Sequence, residues 1–291
     1  MRNSRRKAAI VKELREKGYR LKDLLKAIGI AKSTYYFETS KGEVVANRNN
    51  EMMKLIKEIF NQNKGRYGVR RVHRELLNRG YLIKHKRVQR LMHNMGLFGK
   101  RPKERYHSYK GNVGNVADNI INRNFNASRP LQKWTTDVSQ FNFSWGKCYI
   151  SPILDMFTNE IISYDLSLHP NLKQITNMLT QAYEKFPILE GLIMHSDQGR
   201  QYQMEHYHKR LKERGILQSM LRKGNCYDNG VMENFFGKMK NEMFYGHEYE
   251  FETLQQLKKA MEEYIRYYNK ERIKVKLKGL TPLQVRNQAL Q

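Results

Sequence analysis

The sequence predicts an α/β domain in the second half of the chain, with helical segments before and after it. Three observations support this fold class. Apolar residues recur at helical spacing through most of residues 1–100, and runs rich in Thr, Val, Ile and aromatic residues begin near Arg129. From about Glu248 the helical spacing returns. Between these limits we expect three strands, then helix, strand, helix, strand and helix.

The composition indicates a polyanionic partner. The 291 residues include 54 Lys and Arg against 28 Asp and Glu, a net charge of +26. Nucleic acid is a commoner partner for such a chain than an acidic membrane, and a ribosome-associated or simply well-solvated basic protein is the alternative. Residues 1–129 hold 32 basic and 10 acidic residues, whereas residues 130–247 hold 13 and 12. DNA binding and chemistry are therefore expected in different parts of the chain.

Residues 1–38 read as a helix-turn-helix segment. Ile10 and Leu14 mark a first helix, a second helix ends at a turn containing Gly29, and a third opens at Ser33, which can cap it. A helical hairpin that only packs is the alternative to DNA contact. Residues 39–49 are expected to form a linker.

Residues 50–110 are predicted to form a second, basic helix-turn-helix domain. A helix bearing Val72 ends near Gly80, and another bearing Val88 ends near Gly96. Residues 64–110 hold 15 basic residues and two acidic ones, an imbalance that phosphate contact requires. The expected DNA contacts include Arg70, Arg71, Lys84, Lys86, Arg87 and Arg90. Residues 111–128 are read as a linker to the next domain.

Three acids stand at the ends of predicted elements within residues 129–247. Asp137 follows KWTT on the first strand, Asp197 ends the strand LIMHSD, and Glu233 lies one turn into a helix that Asp228 or Asn229 can cap. Each acid alone is more often a cap or a turn former. Structural roles are assigned to the remaining polar candidates, which are Asp155, Asp165, Asp228 and His195.

If the two strands are neighbours and the helix packs across their ends, three carboxylates meet. Like charges at close range raise each other's pKa, so such a cluster implies a bound cation. Ligation by oxygen alone favours Mg²⁺, with Mn²⁺ as a substitute, over zinc. Two such ions can act on a phosphodiester by in-line displacement. The two cysteines, Cys148 and Cys226, are wrongly spaced for a zinc site and too few for a disulfide scaffold.

The stretches HSDQGRQYQ and RKGNCYDNGVMENFFGKMKNE closely resemble signatures of the insertion-sequence-three family of bacterial transposases. GRYGVRRVHRELLNRGYLIKHKRVQRLM resembles the helix-turn-helix of that family, and YYNKERIKVKLKGLTPLQVR resembles its C-terminal signature. With 35 residues between Asp197 and Glu233, the D-D-35-E triad of the family falls on Asp137, Asp197 and Glu233. The resemblance implies an RNase H-like core with a mixed five-stranded sheet, and strand transfer with two metal ions.

Further expectations concern the helix of Glu233. Lys240 lies two turns along the same face and is expected to reach a phosphate beside the metal site. Integrase-like proteins often have a second basic residue four positions after the glutamate, where this chain has Gly237. Phe235 and Phe236 are expected to anchor the helix in the core.

The expected partners are double-stranded DNA of element ends and target, and further copies of the chain in a dimer or larger assembly. In the resembling family the core is often made from a downstream reading frame, so the product of an upstream frame is a possible partner. A helical segment at 248–291 is expected to help assembly. A bacterial cytoplasmic, nucleoid-associated location fits the two cysteines and the absence of a signal peptide. Alternatives are a metal-dependent nuclease on the same fold and a non-catalytic repressor.

Overall fold

The computed structural model describes residues 3–100, 117–221 and 230–291. The chain forms two compact units, Met1–Phe98 and Gly99–Gln291. No helix within the described ranges is both long and apolar enough to cross a lipid bilayer.

The regular secondary structure in the described part of the N-terminal unit is all α-helical. Its helices are α1 (Asn3–Glu16), α2 (Leu21–Ile28), α3 (Lys32–Gln62), α4 (Val69–Asn78) and α5 (His85–Asn94). The start of α3 packs with α1 and α2 around a small core of Ala8, Val11, Leu24, Ile30 and Tyr35.

Two details of this segment differ from the sequence prediction. Ile10 is 42% exposed, because the buried positions of α1 are Ala8 and Val11, three residues apart on one face. Ser33 is not the N-cap of α3; that position is Ala31, which makes no side-chain cap hydrogen bond. The glycine turn is confirmed: Gly29 has a φ of 64° and donates its N–H to the carbonyl of Leu25.

The stretch read as a linker, residues 39–49, lies within a helix. Helix α3 runs continuously from Lys32 to Gln62. The stretch contains no proline, and its single glycine, Gly42, costs a helix only about 1 kcal/mol relative to alanine. A charged, polar composition was therefore a poor indicator of a break.

Helices α4 and α5 form the second helix-turn-helix. Val72 and Leu76 of α4 are buried, as are Val88, Leu91 and Met92 of α5. Their predicted ends are confirmed, since glycines with positive φ follow both helices. The buried side chains of α3 that complete this core are Ile56 and Ile59.

The second unit contains a mixed sheet. Its strands are β1 (Lys133–Thr136), β2 (Ser139–Phe143), β3 (Gly146–Asp155), β4 (Ile161–Ser167), β5 (Ile193–Ser196) and β6 (Leu217–Met220). Strand β3 pairs antiparallel with β4 on one side and with both β1 and β2 on the other. Strands β1, β5 and β6 are parallel neighbours.

Strands β1 and β2 are two parts of the first predicted strand. Both pair with β3 in one continuous register, in which Thr136 faces Ile153 and Ser139 faces Ile150. Carried through that register, the interruption at Asp137 lies opposite Pro152, which has no N–H to donate to the ladder. The five predicted strands are thus observed, with the first one interrupted.

The helices of this unit follow in the expected order and then continue to the C-terminus. They are α6 (Leu172–Lys185), α7 (Glu205–Lys212), α8 (Gly230–Met239), α9 (Leu254–Lys270) and α10 (Pro282–Ala289). The apolar spacing of α6 places Ile175, Leu179 and Ala182 on one face, and all three are buried in a core that includes Trp134.

The C-terminal helices pack against the sheet domain. The side chain of Asn269 on α9 makes two hydrogen bonds to the backbone of Ile161 on β4, each 2.9 Å long. Arg286 on α10 binds the buried carboxylate of Glu160 at 2.7 Å. Capping boxes begin both helices, at Thr253 and Thr281. The segment 248–291 is therefore part of the same compact unit as the sheet.

Candidate active site

Asp137 lies in the interruption between β1 and β2. Its side chain is 7% exposed, and its Oδ1 accepts a hydrogen bond of 2.7 Å from the N–H of Val138. Because the strand pairing lapses here, the carboxylate occupies a bend rather than a regular ladder position.

Asp197 follows the end of β5, the parallel neighbour of β1. Thr135 on β1 pairs with His195 on β5, so Asp137 and Asp197 follow the same ends of adjacent strands. The N–H of Gly199 donates to Oδ1 of Asp197 at 2.9 Å. A Cβ atom at position 199 would lie only 2.9 Å from that oxygen, so a larger residue here would displace the carboxylate.

Glu233 lies in the first turn of α8, as predicted. The helix contacts β1, and its buried anchors are Met232, Phe235, Phe236 and Met239. The two phenylalanines are at most 1% exposed, which confirms them as core residues. Residues 222–229 lie outside the described residues, and with them the expected caps Asp228 and Asn229 and the cysteine Cys226.

The three carboxylates share one electrostatic environment. Burial raises the pKa of Asp137 well above its ordinary value, and the charges of Asp197 and Glu233 raise it further. Burial also raises the pKa of Asp197 and of Glu233. The charges of Asp197 and Glu233 therefore act on Asp137, and burial disfavours the charged form of all three acids.

Lys240 also reaches this environment. Its Nζ lies 5.1 Å from the centre of the Phe141 ring, and its charge lowers the pKa of Asp137. Burial lowers the pKa of Lys240, and the charge of Asp137 opposes that shift. Lys240 begins a π-helical segment, Lys240–Phe244, that continues α8. The wider turn of that segment was not predicted from the sequence.

The donor set fits a hard divalent cation. The three side chains offer only carboxylate oxygens, and a cation among them would relieve the repulsion that raises the pKa of Asp137. Within the described ranges, however, no three His, Cys, Asp or Glu side chains are close enough together to form a ready-made metal site. The carboxylates interact electrostatically but are not gathered to ligand spacing.

Tyr202 is a neighbour of the site that the sequence reading missed. It is fully buried, and its hydroxyl lies 3.4 Å from Oγ1 of Thr136, the residue before Asp137. Burial raises the pKa of Tyr202, and the charges of Asp197 and Asp137 add to that effect. The available signal was its place in HSDQGRQYQ, five residues after Asp197.

Three of the four residues given structural roles lie within the described ranges, and Asp228 does not. His195 is 1% exposed, and its Nδ1 is 2.9 Å from Oγ of Ser219. Asp155 is 1% exposed and accepts hydrogen bonds from Leu131, Trp134, Phe157 and Thr158. Asp165 is partly buried on β4, on the side of β3 away from β1.

The six basic residues of the segment 50–110 that are predicted to contact DNA fall into two groups. Arg70, Lys84, Lys86 and Arg90 are exposed on or beside α4 and α5. Arg71 and Arg87 are partly buried and make intramolecular contacts: Arg71 donates to the carbonyl of Arg66, and Arg87 donates to Asn49. The first group is therefore better placed to meet a phosphate backbone than the second.

Three family models match the chain. Residues 127–226 and residues 233–290 match two models described as integrase core domain. Residues 47–105 match a model described as HTH-like domain. The first two matches cover the sheet, α8 and the C-terminal helices, and the third covers α4 and α5.

Curated relatives extend along nearly the whole chain. InsK, a transposase assigned to insertion sequence element IS150 of Escherichia coli (strain K12), is 48% identical over 96% of this chain and 97% of its own length. A transposase-like protein of Haemophilus influenzae is 54% identical over 72% of this chain and 95% of its own. The InsF transposase for IS3A of E. coli (strain K12) is 27% identical over 94% of this chain and 96% of its own.

Among solved structures, the HTLV-2 integrase catalytic core domain in complex with magnesium is 17% identical to this chain. The match has a TM-score of 0.44 and covers 55% of this chain and 98% of the other. The matches to the two family models described as integrase core domain, taken with the mixed sheet and its flanking helices, confirm the RNase H-like fold class. Helical segments precede and follow this core in the sequence.

Proposed function

Because this chain belongs to the insertion-sequence-three family of transposases, we propose that it cleaves and joins the ends of its insertion element at Asp137, Asp197 and Glu233. One observation carries this assignment. Two aspartates follow the same ends of adjacent parallel strands, and a glutamate on the helix that contacts β1 raises the pKa of the first.

The three carboxylates are the groups that would hold Mg²⁺, or Mn²⁺ in its place, as a pair of ions. When bound, such ions supply an activated oxygen nucleophile and stabilise charge at the phosphate. Burial of Asp137 among other acids makes its bare anion unfavourable, which favours a cation at this position over a structural role.

Lys240 is proposed to bind a phosphate of the DNA next to the scissile bond. Its ammonium already interacts with Asp137, and its partial burial strengthens any interaction with an anion. In the absence of DNA it balances part of the negative charge of the site.

The basic helices α4 and α5 are proposed to bind double-stranded DNA of the element ends. Arg70, Lys84, Lys86 and Arg90 would contact phosphates, since they are exposed on two helices joined by a tight turn. Joining two ends and a target requires several DNA segments at once, which favours a dimer or larger assembly. The product of an upstream reading frame is a further candidate partner.

We propose the divisions 1–38, 50–110, 129–247 and 248–291 as functional parts, with 39–49 and 111–128 between them. Under this division the continuous helix α3 serves both helical parts. The last part packs on the third within one compact unit.

The proposal is tested by incubating the full chain with labelled element-end DNA and Mg²⁺. Joined products are expected from the unmodified chain, and Glu233→Gln should reduce cleavage and joining by roughly 100- to 1,000-fold or more, because it weakens binding of the metal ions that would stabilise the transition state. Binding of end DNA should remain nearly unchanged. The matched control is Glu263→Gln, at an exposed glutamate of α9, which should join normally.

The outcomes separate the alternatives. Cleavage without joining would indicate a nuclease on the same fold, and binding without either reaction would indicate a repressor. Full joining by the Glu233→Gln variant would refute the assignment of the site.

A further inference from the structure

A fully buried ion pair lies just beyond the catalytic helix. Glu242 is 6% exposed and Arg272 is 1% exposed. Nε and an Nη atom of Arg272 donate to the two carboxylate oxygens of Glu242, at 2.8 and 2.6 Å. The hydroxyl of Tyr264 donates to the same carboxylate at 3.1 Å. This group of three residues, the Glu242 cluster, joins two segments that are far apart in sequence.

The Glu242 cluster acts on the segment that carries Lys240. Glu242 lies two residues after Lys240, inside the π-helical segment that continues α8. A π-helical turn is rare. We expect its conformation to depend on the contacts that its side chains make. Arg272 and Tyr264 bind Glu242 within that segment, whose first residue, Lys240, has its ammonium 5.1 Å from the centre of the Phe141 ring.

A second contact holds the other end of the same helix. The ring of Tyr268 packs edge to face on Phe235, with centroids 5.0 Å apart, and Phe235 lies two residues after Glu233. Tyr264 and Tyr268 are one turn apart on α9, and the guanidinium of Arg272 lies 5.8 Å from the ring of Tyr268. One face of the C-terminal segment therefore contacts α8 near Glu233 and its π-helical continuation near Lys240.

The chemistry of the ion pair indicates that it positions the segment carrying Glu242 and does not serve only to stabilise the fold. Burying two charges has a large desolvation cost, and apolar residues of similar volume often stabilise a fold as well or better. A bidentate guanidinium–carboxylate pair instead fixes distance and angle, because both planar groups must align. One integrase core model, matched by residues 233–290, also spans the catalytic glutamate and these C-terminal residues together.

We propose that Arg272 and Tyr264 are positioning residues that act through Glu242 to hold Glu233 and Lys240 in the active site. The C-terminal segment is then a required part of the catalytic unit and not only an aid to assembly. This inference rests on the function proposed above for Glu233 and Lys240.

The test compares two arginines that tie the C-terminal segment to the same unit. Arg272→Met removes the Glu242 cluster, whereas Arg286→Met removes the ion pair with Glu160, in which no residue of α8 or of its π-helical continuation takes part. For each full-length variant, three quantities are measured: the joining rate at saturating end DNA, the affinity for that DNA, and amide hydrogen exchange over residues 233–244.

Arg272→Met should slow joining by about 100-fold at saturating DNA, the loss expected when a reacting group is displaced by about 1 Å. Its affinity for end DNA should stay unchanged, and exchange over residues 233–244 should accelerate. Arg272→Lys should restore part of the rate, since it returns the charge but not the bidentate geometry. Arg286→Met should show neither the rate loss nor the local acceleration of exchange.

Equal losses of rate in the Arg272→Met and Arg286→Met variants would overturn the proposal, and so would unchanged exchange over residues 233–244. If Arg272→Met does not fold, Glu242→Gln replaces it, because glutamine keeps the volume and weakens the same contact. If the unmodified chain itself joins no DNA, the proposed function fails, while hydrogen exchange still reports whether the Glu242 cluster holds α8.

Discussion

At the scale of single residues, two buried aspartates of the sheet show how surroundings decide a role. Asp155 is surrounded by donors from the backbone and side chains of four residues. Asp137 instead has a strongly raised pKa, chiefly through burial and further through the charges of two other carboxylates. The first aspartate holds a turn together, and the second is a destabilising group kept for the proposed chemistry.

This contrast predicts opposite effects of substitution in buffer with EDTA. The pKa of Asp137 is raised above its ordinary 3.8, so the folded chain binds this proton more tightly than the unfolded chain. Its contribution to stability is then present at low pH and is lost as pH rises through the folded pKa. Asp137→Asn should therefore melt at a higher temperature than the unmodified chain at neutral pH, and the difference should vanish near or below the ordinary pKa.

Thermal melts across that pH range measure the effect. The control is Asp155→Ala, which should lower the free energy of unfolding by roughly 2 to 4 kcal/mol, because buried donors lose their acceptor. An Asp137→Asn variant that melts below the unmodified chain at neutral pH would contradict the reading of Asp137.

At the scale of elements, the helix α8 contains a glycine that its packing does not explain. Gly237 lies in the interior of this helix, at the position where integrase-like proteins often have a basic residue. A Cβ atom there would have no neighbour within 4 Å. Nothing in the packing requires glycine at this position, so a side chain can be accommodated.

Two glycine substitutions test this view of the elements. Gly237→Ala should raise the free energy of unfolding by about 0.5 to 1 kcal/mol, because alanine loses less backbone entropy in a helix. Gly199→Ala should lower it by about 1 to 3 kcal/mol and slow joining, since its Cβ would crowd Gln201 and the carboxylate of Asp197. Chemical denaturation measures both. Destabilisation by Gly237→Ala would show a packing constraint at that position.

At the scale of the whole molecule, charge is distributed unevenly along the chain. The basic excess lies almost entirely in residues 1–129, while the acids of the candidate site lie in a nearly neutral region. A site that gathers three carboxylates needs such a region, and a phosphate backbone needs the opposite. The N-terminal unit is thus the expected source of most DNA affinity.

Salt dependence of end-DNA binding tests this division. Lys86→Ala should weaken binding and reduce the slope of log affinity against log salt by about 1, as expected for one lost phosphate contact. The control is Lys57→Ala, at an exposed lysine of α3 outside the predicted contact set. Equal changes in both slopes would mean that general charge, and not the α4–α5 surface, governs binding.

The sequence by itself determined the fold class and the family and predicted the three acids of the site, because periodicity and short motifs are local and need no knowledge of partners. The same information misplaced Ile10, expected a break in α3 and did not predict the interruption at Asp137 beside Pro152. Only the tertiary structure decided that the charge of Lys240 acts on Asp137, that the hydroxyl of Tyr202 lies beside Thr136 and that Arg272 binds Glu242. Such contacts join residues far apart in the chain, and apolar spacing indicates which face is buried but not which residue it meets.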